Sequence, residues 1–148
     1  MNYKFASAVW FALTVAGFAA PAIAQESLGE KKIWREQEQY LSGEGKDMIT
    51  ACGKDIPGGF DKPSYKGQLE TNYSVYGYCA ELYSALRNLC SDADGKAAVQ
   101  EKINKIECAY GGKDKRALTL NGGTLKMIID WDAANYGDFI NAWLLKNL

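Results

Sequence analysis

Apolar residues fall on one helical face over two long stretches of the chain, and in the second stretch they recur every three or four positions, a pattern typical of helices with one buried face. The stretches cover residues 28–52 and roughly 74–90. In the first, Gly43 and Gly45 each weaken a helix interior by about 1 kcal/mol, so we expect any break to fall there. The apolar positions are Ile33, Trp34, Leu41, Met48 and Cys52 in the first stretch and Val75, Cys79, Leu82, Leu86 and Leu89 in the second.

A third helix is predicted after a short polar turn. The helical spacing continues over roughly residues 95–110, at Val99, Ile103, Ile106 and Tyr110. Residues 91–95 form a turn signal that should fold the two helices back antiparallel. Ser91 or Asp94 can cap the following helix. The acidic residues here partly match a calcium-binding EF-hand loop, but Cys90 stands where its first oxygen ligand is needed, which favours the cap.

The last third of the chain predicts a β-hairpin followed by a helix. Asn-Gly-Gly separates residues 116–120 from 124–130, and Asn-Gly between β-prone runs favours a tight hairpin because the central turn residues need positive φ. Residues 134–147 carry a wide apolar stripe. A lone hairpin is not stable, so helices should cover it. We therefore predict an α+β fold that is mainly helical, with an N-terminal helix, an antiparallel helix hairpin, a C-terminal helix and one β-hairpin.

Four cysteines predict two disulfide bonds, and helix geometry selects their pairing. If Cys79 and Cys90 share a helix, they lie about 16 Å apart, whereas a disulfide needs Cα atoms within about 7 Å. Cys79 and Cys108 stand at nearly equal distances before and after the predicted turn, so they should face each other. We predict the bonds Cys79–Cys108 and Cys52–Cys90. No C-x-x-C spacing indicates a thiolate site, and we expect no metal and no cofactor.

The N-terminus has the three parts of a cleavable export signal. A lysine supplies the positive charge, residues 5–20 are uncharged and largely apolar, and Ala22-Ile23-Ala24 has the small-x-small pattern of a cleavage site. The apolar run is shorter than the ~20 residues of a membrane-spanning helix. We therefore expect a signal peptide over residues 1–24 and one mature domain over 25–148 that is periplasmic or secreted, with no transmembrane span.

Charge and histidine content exclude several classes of function. The chain has 17 basic and 18 acidic residues, and removal of Lys4 with the signal leaves 16 against 18. A nucleic-acid-binding protein needs a positive patch, so we expect no nucleic-acid partner. The chain contains no histidine. This excludes histidine-dependent nucleophile pairs, histidine zinc sites and histidine acid–base catalysis.

The connection between the first two helices is the best candidate for a binding element. Residues 53–73 are rich in glycine, proline and aspartate, and ordered loops of this length are often functional. Tyrosine is a preferred anchor in protein interfaces. The candidate contact residues are Phe60, Tyr65, Tyr73 and Tyr76. The alternative, which we favour slightly for Phe60 and Tyr65, is that the rings pack over the core. A loop packed tightly with its aromatic rings inside would remove the interpretation as a binding loop.

Asp130 and Asp132 are weak candidates for catalysis. They flank Trp131 at the end of the predicted strand, and alternate strand residues point to the same side. Paired carboxylates beside an aromatic ring could cleave a glycosidic bond. Asp132 also stands where the cap of the last helix is expected, and we favour that role.

The sequence thus favours an exported, non-enzymatic binding or inhibitor-type protein that contacts a protein or other macromolecule through residues 53–73 and nearby tyrosines. One alternative is a carboxylate-dependent hydrolase of the cell envelope. Its sign would be Asp130 and Asp132 converging in an open pocket. A second alternative is a structural or assembly factor of the envelope, which would show a large exposed apolar patch.

Overall fold

The structure is a computed structural model that describes residues 27–69 and 74–148. The predicted signal peptide and Tyr73 lie outside the described residues. The fold is mixed α+β, as predicted, with helices predominating over a small sheet. The helices are α1 (Leu28–Cys52), α2 (Val75–Leu89), α3 (Ala93–Lys102) and α4 (Tyr136–Asn147), and the strands are β1 (Gly58–Phe60), β2 (Lys105–Tyr110), β3 (Ala117–Asn121) and β4 (Thr124–Ile129).

Helix α1 has the predicted bounds and runs unbroken through both glycines. Ser27 caps its start, because its Oγ accepts from the Glu30 amide while the Glu30 carboxylate accepts from the Ser27 amide. Gly45 is buried, and a Cβ there would meet the carbonyl oxygen of Ile56 at 3.2 Å. The helix packs against α2 and β1. This tertiary packing outweighs the local cost of the glycines.

The third helix is shorter than predicted. Helix α3 ends at Lys102, and the residues expected to continue it form strand β2 instead. In β2, Ile106 and Cys108 are buried while Lys105 is exposed, so the segment also satisfies the two-residue period of a strand. The predicted caps were wrong as well. Asp92 caps α3, with its Oδ1 accepting from the Gly95 amide at 2.8 Å.

The four strands form one sheet in the order β1-β2-β4-β3. Strands β1, β2 and β4 run parallel, and β3 is antiparallel to β4. The predicted β3–β4 hairpin is confirmed, with positive φ at both turn residues, Gly122 and Gly123. Leu125, Met127 and Ile129 are fully buried on one face of β4, and they join the helices in a single hydrophobic core.

Both predicted disulfides are present. Cys52–Cys90 joins the ends of α1 and α2, with Cα atoms 5.2 Å apart, and Cys79–Cys108 has a Cα separation of 6.3 Å. The second bond links α2 to β2, not two facing helices, so the pairing was right although the element carrying Cys108 was not. Within the described residues, no helix combines the length and hydropathy needed to cross a membrane.

Replacing Cys79 and Cys108 together by alanine should lower the free energy of unfolding by about 3–4 kcal/mol, because the bond closes a long loop in the unfolded chain. Urea denaturation of the oxidised proteins measures this difference. The control is Leu145→Ala on the surface of α4, where the side chain is 78% exposed and the expected change is within about 0.5 kcal/mol. A loss below about 1 kcal/mol in the double variant would contradict the expectation.

Candidate functional site

The first half of the connection after α1 is held firmly against the rest of the protein. We call residues 53–69 the loop segment. Ile56 is fully buried, and its carbonyl accepts a hydrogen bond from the Tyr83 hydroxyl at 3.1 Å. The Pro57 carbonyl accepts from the Ile106 amide at 2.9 Å, which begins the pairing of β1 with β2. This part of the loop segment is therefore an edge of the sheet.

The second half of the loop segment is held by hydrogen bonds at its turn. The Asp61 amide donates to the Cys108 carbonyl at 2.9 Å, and the Asp61 carboxylate lies 3.2 Å from Lys126 Nζ. Ser64 Oγ donates to the Asp61 carbonyl at 2.6 Å and accepts from the Tyr110 amide at 2.9 Å. A short 3₁₀ helix, Lys62–Tyr65, follows from this turn. The segment is thus ordered along its length.

Tyr65 anchors the loop segment to the core. Its side chain is fully buried, within an aromatic cluster. The ring centroid of Tyr65 lies 5.5 Å from that of Trp34 and 6.2 Å from that of Tyr110, and desolvation raises the pKa of its hydroxyl. In this conformation Tyr65 matches the alternative in which the ring packs into the core. The cluster consists of Trp34, Phe60, Tyr65, Tyr110 and Trp131.

Phe60 and Tyr76 keep part of their surface in contact with solvent. Phe60 is half-buried, with its ring centroid 5.4 Å from that of Trp34. The Tyr76 hydroxyl donates to Glu44 at 2.5 Å, and this hydrogen bond is the main reason that its pKa is raised to about 12. The Tyr76 ring also contacts Tyr40, at 5.2 Å between centroids. Each candidate therefore presents only one side of its ring to a partner.

Tyr40 and Lys62 are surface groups that sequence reasoning did not single out. The Tyr40 side chain is 50% exposed. Lys62 Nζ lies 2.7 Å from Glu38 and 5.5 Å from the centroid of the Trp34 ring, a cation–π contact. Tyr40 could have been found from its position outside the apolar stripe of α1. Lys62 had no such signal, because its ring partner is distant in sequence.

Helix α1 separates these groups into two flanks. At 100° per residue, Glu38 and Tyr40 lie on different sides of the buried stripe that contains Leu41. Glu38 faces the loop segment through Lys62, whereas Tyr40 faces α2 through Tyr76. The predicted loop and tyrosines are therefore neighbours across one exposed helix.

A shallow groove of about 190 Å³ runs between α1 and the loop segment. Its floor is close-packed, because a Cβ on Gly58 would meet the Tyr83 hydroxyl oxygen at 2.3 Å. Charges of both signs line it. The lining residues are Glu38, Ser42, Gly45, Lys46, Asp55, Pro57 and Gly58. The groove is smaller than a typical small-molecule pocket, which measures about 300–1,000 Å³.

Asp130 organises the turn after β4. Its side chain is 4% exposed, and its two carboxylate oxygens accept from the amides of Asp114 at 2.8 Å and Asp132 at 2.9 Å. Asp132 is exposed and does not cap α4, which begins later with Asn135 at its N-cap. The expected capping role of Asp132 was therefore wrong. The arrangement gives Asp130 a structural role and adds no support for acid–base chemistry.

The described residues contain no cluster of three or more acidic, cysteine or histidine side chains that could hold a metal ion. All four cysteines form disulfides, so none is free to act as a nucleophile. The surface around the loop segment presents aromatic rings, prolines and paired charges.

Tyr65→Phe should raise the free energy of unfolding by about 1 kcal/mol, whereas Tyr65→Ala should lower it by about 3–5 kcal/mol. The hydroxyl of Tyr65 is buried and has no hydrogen-bond partner among the described residues, while its ring fills the core. Thermal or urea denaturation tests both variants. A loss above about 1 kcal/mol for Tyr65→Phe would show that the hydroxyl is bonded.

Asp130→Ala should destabilise the protein by about 3 kcal/mol, because two backbone amides lose a charged acceptor. The matched change is Asp132→Ala at the neighbouring exposed carboxylate, with an expected effect within about 0.5 kcal/mol. Chemical denaturation of both variants gives the comparison. Equal effects of the two changes would contradict the structural role of Asp130.

Comparison of the chain with protein-family models, curated proteins and solved structures finds no match. The geometry of the loop segment and its flanking tyrosines is therefore the basis for a functional conclusion.

Proposed function

We propose that this protein is an exported, non-enzymatic binding or inhibitor-type protein that contacts another protein through the loop segment and the tyrosines beside α1. One observation carries the proposal. The loop segment, whose regular structure is limited to a three-residue strand and one short 3₁₀ helix, is anchored at Ile56, Pro57, Asp61 and Ser64. Such anchoring is typical of preorganised binding loops.

Preorganisation matters because binding must overcome the entropy lost when mobile residues become ordered. Each rotamer-rich side chain that a partner immobilises costs about 0.5–1.5 kcal/mol. Here the Tyr65 ring is already fixed in the core, and Lys62 is already held by Glu38 and Trp34. Because these side chains are already ordered, a partner that binds here causes a smaller loss of conformational entropy. This favours tight binding through a small contact area.

The exposed groups on the loop segment suit a protein partner. They include two prolines, one half-buried phenylalanine ring and two lysines. Tyr40 lies on the other flank of α1. Tyrosine provides a large contact area at low entropic cost. The absence of a dominant positive charge argues against nucleic acid. The groups are Pro57, Phe60, Lys62, Pro63 and Lys66 on the loop segment, with Tyr40 and Tyr76 beside α1.

Export is part of the proposal. Two disulfides in a chain of this size are typical of proteins that fold outside the reducing cytoplasm. The predicted signal over residues 1–24 supports the same conclusion. We therefore place the protein in the periplasm or the extracellular space, where its partner would also lie.

Tyr40→Ala and Lys62→Glu should each weaken partner binding by about tenfold or more, because each removes a contact on one flank of α1. The measurement starts with retention of a partner from an extract of the exported fraction of the natural host. Titration of the identified partner against each variant then gives its dissociation constant. The control is Leu145→Ala on α4, which should bind like the unchanged protein.

Circular dichroism and the unfolding midpoint establish that each variant is folded. Failure to retain any protein from the host extract would refute the proposal. An equal loss of affinity in Leu145→Ala would place the contact elsewhere.

A further inference from the structure

Strand β3 is an open edge of the sheet, at the opposite end from the loop segment. The Gly111 amide donates to the Ile129 carbonyl, so the odd-numbered residues of β4 direct their backbone groups toward β2. The even-numbered residues of β4 then bond to β3, through partners 117, 119 and 121. The backbone N–H and C=O groups of Leu118 and Leu120 consequently point outward.

This edge lacks the usual protection against strand pairing. Natural edge strands carry charges, prolines or bulges that prevent association. The sequence of β3, Ala-Leu-Thr-Leu-Asn, has no charged residue and no proline, and its register with β4 is unbroken. In the described part of the chain, β3 packs chiefly against β4.

We propose that β3 pairs antiparallel with β3 of a second copy of this chain, which joins the two sheets into one. The strand is self-complementary about Thr119. With Thr119 opposite its own copy, Leu118 lies opposite Leu120 of the other strand, and the residues with outward backbone groups meet each other. Each such pair exchanges two hydrogen bonds, so four form around a two-fold axis.

Charge favours this antiparallel arrangement. The basic run 113–116 precedes β3 and contains three cations and one acid, Asp114. In a parallel pairing the two basic runs would lie side by side and repel each other. In the two-fold arrangement, Arg116 lies opposite Gly122 of the other strand, at its uncharged turn. The two basic runs are then at opposite ends of the interface.

Apolar side chains on the helix-covered side of the sheet would extend the contact. Leu120, Phe139 and Trp143 are only partly buried although they pack against the core. Arg116 lies 4.3 Å from the centroid of the Phe139 ring, which places α4 beside the start of β3. Because the two-fold axis is perpendicular to the sheet, both copies of α4 lie on the same side of the joined sheet.

The pairing goes beyond the proposed function and leaves its surface free. The loop segment contains β1, at the far end of the sheet from β3. A dimer formed through β3 would therefore carry two loop segments at its two ends. Each could bind a partner without disturbing the dimer, so the two proposals fail or succeed independently.

Introducing a charge at Thr119 tests the proposed two-fold axis directly. The Thr119 side chain is exposed and stands beside Lys126 in the register, so Thr119→Glu is tolerated within one copy. In the dimer it places two carboxylates opposite each other, and Thr119→Lys does the same with two ammonium groups. Analytical ultracentrifugation of the protein purified after export, without the signal, should show twice the mass of one mature chain. Each variant alone should raise the dimer dissociation constant about tenfold.

An equimolar mixture of Thr119→Glu and Thr119→Lys should restore dimers, because opposite charges then meet across the axis. The control is Thr50→Glu, the same change at an exposed position of α1, which should dimerise like the unchanged protein. If the unchanged chain is monomeric, the proposal is overturned. This holds even if β3 then pairs with a strand from a different protein. Dimers that persist in both variants, or variants whose mixture stays monomeric, overturn it equally.

Discussion

Strand β2 lies between β1 and β4. It pairs with the loop segment on one side and with β4 on the other, and a disulfide bond joins it to α2. A strand in this position has no water at either edge, so its backbone groups must pair with strands on both sides. The pairing with Pro57 and Asp61 on one side fixes the loop segment along the sheet. Its Cys108 side chain is bonded to α2, which holds the helices over the same strand. The rigidity of the loop segment is thus a consequence of completing β2.

The sheet order separates two kinds of surface. At the β1 end the chain is irregular, flanked by α1, and offers aromatic and charged side chains. At the β3 end it is regular and uncharged, and it offers mainly backbone groups. Side-chain surfaces can discriminate between partners, whereas a bare strand edge pairs through its backbone and depends on register. The proposed contact with a foreign protein uses the first end, and the proposed pairing of identical chains uses the second.

The charged residues near the sheet serve mainly to hold it together. Hydrogen bonds from Lys126 and Lys105 lower the pKa of Glu107, and the bond to Glu107 is the main cause of the raised pKa of Lys126. The Asp130 carboxylate accepts hydrogen bonds from two backbone amides at the end of β4. These acids and lysines are therefore engaged in contacts within the fold.

The sequence by itself determined the elements whose signals are local. The 3.6-residue period predicted α1 and α2 closely, and the Asn-Gly-Gly run predicted the hairpin. The exclusion of a Cys79–Cys90 bond removed one of three possible pairings, and the expected facing of Cys79 and Cys108 selected the correct one, although Cys108 lies on a strand. Only the tertiary structure decided that residues 105–110 are a strand, since their apolar positions fit both periods. It also decided that Tyr65 is inside the core. Parallel strand pairing joins segments that are far apart in the chain, and the local pattern of residues does not indicate which segments will pair.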